Sequence, residues 1–462
     1  MRKQFDVAII GGGPAGSTLA SEMNQQGYST CLIERHHLGG TCLNYGCDPT
    51  KTLLHTAEQY ANLQQAAARG ITLKEEATLD WEQVQRHLQE VLTQFRGGSI
   101  EDSREFWREQ GIELIIGEAK FLSPDVLEVD GEEITAKRFV IATGTAAAVP
   151  NIPGLQEAGY LTNKDIIYID KLPERLAVIG AGPVGVEFSQ MFQRFGVDVT
   201  LVESEATILH RDDRDLSQRL GELLIKERVD IRFKSELTIV KAVENGKQLT
   251  LEKENGEQIK LVVDEILIAV GRRSVLPDLN PSAAGLQTDE ADWLIADDTL
   301  RTHQPHIWGI GDVLGKAKFT GVAESHAKHL AKNLFADNPK PLPERPISWV
   351  TFTSPALAHI GQTERQLKEA GTPYECITFD VADTARAITK GYTNGIVKLL
   401  IGNDDRVLGG HILAHNAGDL LGPIVVMMNS DLPVSALEDA IFPYPTMVEA
   451  VGYALEEANN SR

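Results

Sequence analysis

Phe5-Asp6-Val7-Ala8-Ile9-Ile10-Gly11-Gly12-Gly13-Pro14-Ala15-Gly16 begins as an apolar run and turns into closely spaced glycines. The run predicts a buried parallel strand, and the glycines predict the turn that opens a helix. Glu34 ends the next apolar strand about twenty residues on, the offset of an acid that meets a ribose diol. In such a unit Gly11 permits the tight turn, Gly13 lets backbone N–H groups approach a pyrophosphate, and Gly16 lets the helix pack close to the strand. Strand, glycines, helix and acid together predict a dinucleotide-binding fold.

The whole device recurs. Leu176-Ala177-Val178-Ile179 leads into Gly180, Gly182 and Gly185, and the strand from Val197 to Val202 ends at Glu203. Two dinucleotides are therefore implied. Ile141-Ala142-Thr143-Gly144 and the similar segment from Ile266 through Gly271 to Arg272 place domain boundaries near 150 and 272. From about Arg345 strands alternate with helices, after a proline-rich linker at Pro341, Pro343 and Pro346. The expected fold class is α/β, with two Rossmann-like domains and an α+β C-terminal domain. Residues 1–150 and 272–342 form the first, discontinuous domain, 151–271 the second and 343–462 the third.

Directly after the first unit comes Gly39-Gly40-Thr41-Cys42-Leu43-Asn44-Tyr45-Gly46-Cys47-Asp48-Pro49-Thr50-Lys51. Five residues of straight helix rise about 7.5 Å, whereas a disulfide tolerates Cα separations of roughly 4.4 to 6.8 Å. The backbone between Cys42 and Cys47 must bend, and Gly46 supplies the freedom. A two-electron thiol pair beside a bound cofactor points to a redox enzyme.

At 462 residues the chain is long enough for two or three domains. Its net charge of −22, from 44 basic and 66 acidic side chains, argues against nucleic acid and anionic membrane as partners. The longest apolar run, near Ile424 to Met428, is far shorter than a bilayer span, and a strand beginning near residue 5 leaves no room for a leader. A cytoplasmic location is expected. Four cysteines in so long a chain are not a secreted disulfide framework. Cys31 and Cys376 lack a motif and are expected to be buried thiols.

The cysteine motif, both glycine units, Gly309-Ile310-Gly311-Asp312 and Phe442-Pro443-Tyr444-Pro445-Thr446-Met447-Val448-Glu449 together resemble the FAD-dependent pyridine nucleotide-disulfide oxidoreductases. This is the family of dihydrolipoamide dehydrogenase, glutathione reductase and mercuric reductase, and the resemblance spans nearly the whole chain. It implies FAD on Gly11, Gly13, Gly16, Glu34, Gly40, Thr41, Lys51, Thr143, Gly144 and Asp312. It implies a nicotinamide nucleotide on Gly180, Gly182, Gly185, Glu203 and Gly271. It further implies that the third domain builds a homodimer in which the partner subunit completes each active site. No resident metal is expected. By resemblance Cys47 is the charge-transfer thiolate against the flavin, Cys42 is the interchange thiol facing the acceptor, and Lys51 pairs with Glu187 near flavin N5.

The sequence departs from the family at two places. Asp48 stands where the family usually has an aliphatic residue, and its charge is expected to raise the Cys47 pKa or make the thiol pair more reducing. Tyr444 stands where disulfide reductases carry the histidine that accepts the interchange thiol's proton, with Glu449 in the position of its supporting glutamate. A phenol titrates near 10 against about 6.5 for imidazole, so tyrosine is a poor resting base. Mercuric reductase has a tyrosine in a similar run, which favours a soft-metal acceptor bound by thiolates. Its C-terminal cysteine pair has no counterpart after Cys376. Glu203 favours NADH over NADPH because a carboxylate repels a 2′-phosphate. The acceptor stays open between a small or protein-bound disulfide, a soft metal ion and a quinone served by the flavin directly. A redox sensor or complex subunit without steady turnover is the alternative.

Overall fold

In the computed structural model, which describes residues 2–437 and 439–460, the strand Arg2–Ile10 lies inside a seven-stranded sheet. Met1, Glu438, Ser461 and Arg462 lie outside the described residues. Thr30–Glu34 and Glu132–Ile141 flank Arg2–Ile10 in parallel, Glu113–Ile116 continues beyond Thr30–Glu34, and Ile307–Gly309 returns late in the chain to pair with Glu132–Ile141. Every residue of Thr30–Glu34 is buried. A parallel sheet covered on both faces requires this, which is why its strands read as unbroken apolar runs.

The first sheet is mixed, with Val126–Val129 and Ala119–Ser123 added antiparallel, whereas a second sheet is four parallel strands in the order Asp230–Arg232, Asp198–Val202, Arg175–Ile179, Glu265–Ile268. It repeats the first unit in detail. A Cβ on Gly16 would stand 1.9 Å from Gly11 O, and one on Gly185 would stand 1.8 Å from Gly180 O. In both units only glycine lets the helix, Pro14–Gln25 or Pro183–Arg194, start so close to its strand. The short antiparallel pair Thr145–Ala147 and Arg272–Ser274 joins the chain where it leaves and re-enters the first unit.

The C-terminal part is a five-stranded antiparallel sheet in the order Ser348–Thr351, Ala356–Gly361, Val407–Ala414, Ile396–Gly402, Tyr374–Asp380. Its core takes in Val397, Leu399, Ile412, and Val451, Ala454 and Leu455 of the helix Glu449–Asn460. The mixed α/β class with a separate C-terminal α+β unit is what the sequence pattern predicts.

The helix carrying the second cysteine, Cys47–Gln64, packs on Pro183–Arg194. Leu53, Leu54 and Ala57 share one apolar cluster with Phe188, Met191 and Phe192. Each large side chain fully buried there contributes roughly 1.5–3 kcal/mol. This contact brings the cysteine motif against the second nucleotide unit.

Cys31 is buried in the first sheet, but Cys376 is exposed, contrary to expectation. It lies on the edge strand Tyr374–Asp380, where Ile377 faces the core and the alternating side chains Cys376 and Thr378 face outward. Among the described residues no helix is long and apolar enough to cross a membrane.

Candidate active site

Both glycine turns open into one cavity of about 1550 Å³. At its first end the Gly12 N–H donates to Glu34 Oε2 at 2.7 Å; at the second the Ala181 N–H donates to Glu203 Oε2 at 2.6 Å. The second oxygens accept from His36 N at 2.8 Å and Glu205 N at 3.0 Å. Each acid is thus held at the mouth of its glycine turn by backbone N–H groups, with remaining lone pairs directed to the cavity it lines.

The bend between the cysteines falls at Gly46. The helix Gly40–Tyr45 ends there and Cys47–Gln64 begins at the next residue. A Cβ on Gly46 would meet Thr41 O at 3.0 Å, and one on Gly40 would meet Gly13 Cα at 2.8 Å. The cysteine motif is therefore seated directly on the first glycine turn.

The two sulfurs are not bonded to each other, and the Thr320 hydroxyl faces both, 3.4 Å from Cys42 Sγ and 3.6 Å from Cys47 Sγ. Thr320 is the first residue of the helix Thr320–Asn333, so the positive end of that helix also faces the pair. Cys47 is pushed below the usual thiol range, first because the Cys42 thiol donates to it. The Thr320 hydroxyl and the Lys51 charge add to this, while burial and Asp48 oppose it. Cys42 is pushed up by the same shared proton and by burial. Both directions favour the charge of a reduced pair on Cys47. Asp48 is half-buried, and burial pushes its own carboxyl up.

Lys51 Nζ lies 2.6 Å from Glu187 Oε2, and Glu187 Oε1 accepts from the Phe352 N–H at 2.8 Å. Lys51 also stands 4.6 Å above the Phe352 ring. One buried carboxylate thus ties the cysteine helix, the second nucleotide unit and the C-terminal domain together. Opposite, Asp312 Oδ2 accepts from Thr145 Oγ1 at 3.2 Å, and the Arg272 guanidinium reaches both. Burial pushes the Asp312 carboxyl up, and Arg272 and Thr145 hold it back.

The residues present fit FAD and a nicotinamide nucleotide. Thr143 Oγ1 is buried without a hydrogen-bond partner and its residue lines the cavity beside Gly144. Gly144, Gly182 and Gly271 have open space where a Cβ would be, so backbone is exposed to a ligand at three points. Glu34, Gly40, Thr41, Lys51 and Asp312 share that cavity with Gly180 and Glu203.

Tyr444 and Glu449 are not brought to the sulfurs within one chain. Tyr444 is 75% exposed, and Glu449 is buried, its Oε2 accepting from the Thr446 N–H at 2.8 Å. Sequence reasoning missed Thr320, Phe352, Trp349 and Asp212. Trp349 Nε1 donates to Asp212 Oδ1 at 2.9 Å on the cavity wall.

Residues 5–327 match the family model described as pyridine nucleotide-disulphide oxidoreductase, and residues 347–455 match the dimerisation domain of that family. The mercuric reductase of Staphylococcus aureus is 32% identical over 452 residues, spanning 97% of this chain and 82% of that protein. The dihydrolipoyl dehydrogenase of Cupriavidus necator is 30% identical over 469 aligned residues, spanning 98% of this chain and 97% of that one. The fold also matches the Cu(II) complex of the HOCl-induced flavoprotein disulfide reductase RclA from Escherichia coli, with a TM-score of 0.88 and 29% identity. That match covers 98% of this chain and 99% of the other.

Proposed function

Since the chain belongs to the pyridine nucleotide-disulphide oxidoreductase family, whose members depend on FAD and a pyridine nucleotide, we propose that it uses NADH to reduce a soft, thiol-reactive acceptor through Cys42 and Cys47. Its dimerisation domain supports a homodimer. The observation that supports this reading is the cysteine pair, with the Thr320 hydroxyl within 3.6 Å of each sulfur, in the cavity onto which both nucleotide turns open.

The chemistry FAD supplies when bound is a two-electron relay between nicotinamide and sulfur. On reduction the Cys42–Cys47 disulfide gains an electron pair and one proton; the proton goes to Cys42 and the charge stays on Cys47. Thr320 and Lys51 hold that charge, and the Glu187 carboxylate fixes Lys51. Cys42 is the sulfur left to meet an acceptor.

The choice of acceptor rests on the C-terminal motif, which the resemblance to the family brings to the sulfurs from the partner subunit. With Tyr444 in place of a histidine, no imidazole at that position takes the thiol proton, so exchange with a disulfide is slow. A soft metal ion displaces the proton itself and needs no thiol leaving group. The similarity to mercuric reductases and to a reductase that forms a Cu(II) complex supports this choice. The pinned Glu203, with Glu205 following, supports NADH over NADPH. Steady-state assays with NADH or NADPH against Hg(II), Cu(II), lipoamide, glutathione disulfide and quinones test the reading. Turnover with the metal ions that is lost in Cys42→Ser is expected; fast lipoamide turnover with slow metal reduction would overturn it.

A further inference from the structure

Behind the cavity wall two buried histidines meet. His359 Nδ1 lies 3.0 Å from His411 Nδ1, and both residues are 1% exposed. His359 Nε2 faces Gly361 O at 2.9 Å, and His411 Nε2 faces Gln362 O at 3.1 Å and Asp213 Oδ2 at 3.4 Å. Carbonyl and carboxylate oxygens only accept, so each Nε2 must carry its hydrogen. A neutral imidazole has a single N–H. Two neutral rings would then point bare lone pairs at each other across the Nδ1 contact, whereas one added proton makes that contact a hydrogen bond.

The charges facing the pair are of both signs. Lys398 Nζ, itself 1% exposed, lies 2.9 Å from Asp215 and from Glu364 and 3.2 Å from Asp213. Three carboxylates thus surround one ammonium, and Asp213 Oδ2 is buried with no hydrogen bond although Lys398 and His411 both face it. Burial pushes both rings below the usual imidazole range, with the neighbouring ring and Lys398 adding to it, while the Gly361 and Gln362 carbonyls and the Asp213, Asp215 and Glu364 carboxylates, the last also paired with Lys368, oppose that penalty.

His359 also stacks on Trp349, with ring centroids 3.6 Å apart. Trp349 in turn stacks parallel to Phe319, the residue before Thr320, and bonds Asp212. We propose that the His359–His411 pair holds one shared proton at neutral pH and is a positioning element for the Trp349–Phe319 wall and, through Thr320, for the sulfur pair. A shared cation over the indole face strengthens the stack, and loss of the proton loosens it. The link to sulfur rests on Cys47 being the thiolate described above; the proton count does not.

Neutron diffraction from the perdeuterated, FAD-loaded protein at neutral pD tests the count. Deuterium on both Nε2 atoms and one more between the Nδ1 atoms is expected; two deuterons in the pair overturn the proposal. The positioning role is read from iodoacetamide alkylation of the reduced protein against pH. Wild type should show an alkaline step of about twofold in rate, beyond thiol ionisation. His359→Phe, which keeps a stacked ring, and His359→Gln, which keeps a hydrogen bond, should both lack it. Profiles that superimpose on wild type overturn that role.

Discussion

The Thr320 hydroxyl lies 3.4 Å from Cys42 Sγ and 3.6 Å from Cys47 Sγ, so its single proton is within reach of either sulfur and goes to the one that carries the charge. With the charge on Cys47 that proton is directed to Cys47, which lowers its pKa. A hydrogen bond to a charged group contributes about 1.5–3 kcal/mol, equivalent to roughly one to two pH units. Thr320→Val should therefore raise the Cys47 pKa by about one unit, read as ultraviolet thiolate absorbance against pH. Thr320→Ser should restore it.

Asp48 acts with the opposite sign. Its charge pushes Cys47 up, against Thr320 and Lys51. Asp48→Asn should lower the Cys47 pKa and, by stabilising the dithiol form, raise the potential of the sulfur pair by up to about 30 mV. Redox titration against a dithiol buffer measures this, and an unchanged potential would remove Asp48 from the redox chemistry.

Lys51 and Glu187 differ in exposure: 34% of the lysine side chain is accessible against 5% of the glutamate. Removing the lysine strands a buried carboxylate, whereas removing both charges does not. Lys51→Met should cost about 1–3 kcal/mol in chemical denaturation, and Lys51→Met combined with Glu187→Gln should recover most of it. Additive losses would show the pair to be uncoupled.

Burial pushes Asp212 up to about 7, with Trp349 holding it back and Asp213 adding to the rise. An unfolded aspartate ionises near 3.9. Between these values the folded chain keeps a proton that the unfolded chain has lost, so this carboxyl makes stability fall as pH rises from about 4 to 7 and leaves it level above. Asp212→Asn, which can still accept from Trp349, removes the effect. Its melting temperature relative to wild type should climb between pH 5 and pH 8, and a flat difference would contradict the buried-carboxyl assignment.

The fold was legible because a phosphate-binding turn imposes local rules: a strand, glycines that tolerate no Cβ, and an acid at a fixed offset. Both copies obey them down to the Gly11–Gly16 and Gly180–Gly185 approaches. The bend at Gly46 followed from disulfide geometry alone. Thr320 was not legible, since it reaches the cysteines from 278 residues away in sequence. It opens the helix Thr320–Asn333, and a hydroxyl in that first turn was the available signal. Trp349 and Asp212 belong to different domains, and no spacing announces their contact. Cys376 was misjudged because residue type was weighed without the alternation of its edge strand, which turns Ile377 inward and Cys376 outward.

Anaerobic titration of the FAD-loaded protein with NADH tests the central claim most directly. Wild type should take up one electron pair for the flavin and a second for the sulfur pair, passing through a form with a long-wavelength thiolate–flavin absorbance band, and Cys47→Ser should take up only the first pair without that band. Uptake of a single pair by wild type, with both cysteines still oxidised, would contradict electron transfer from flavin to Cys47.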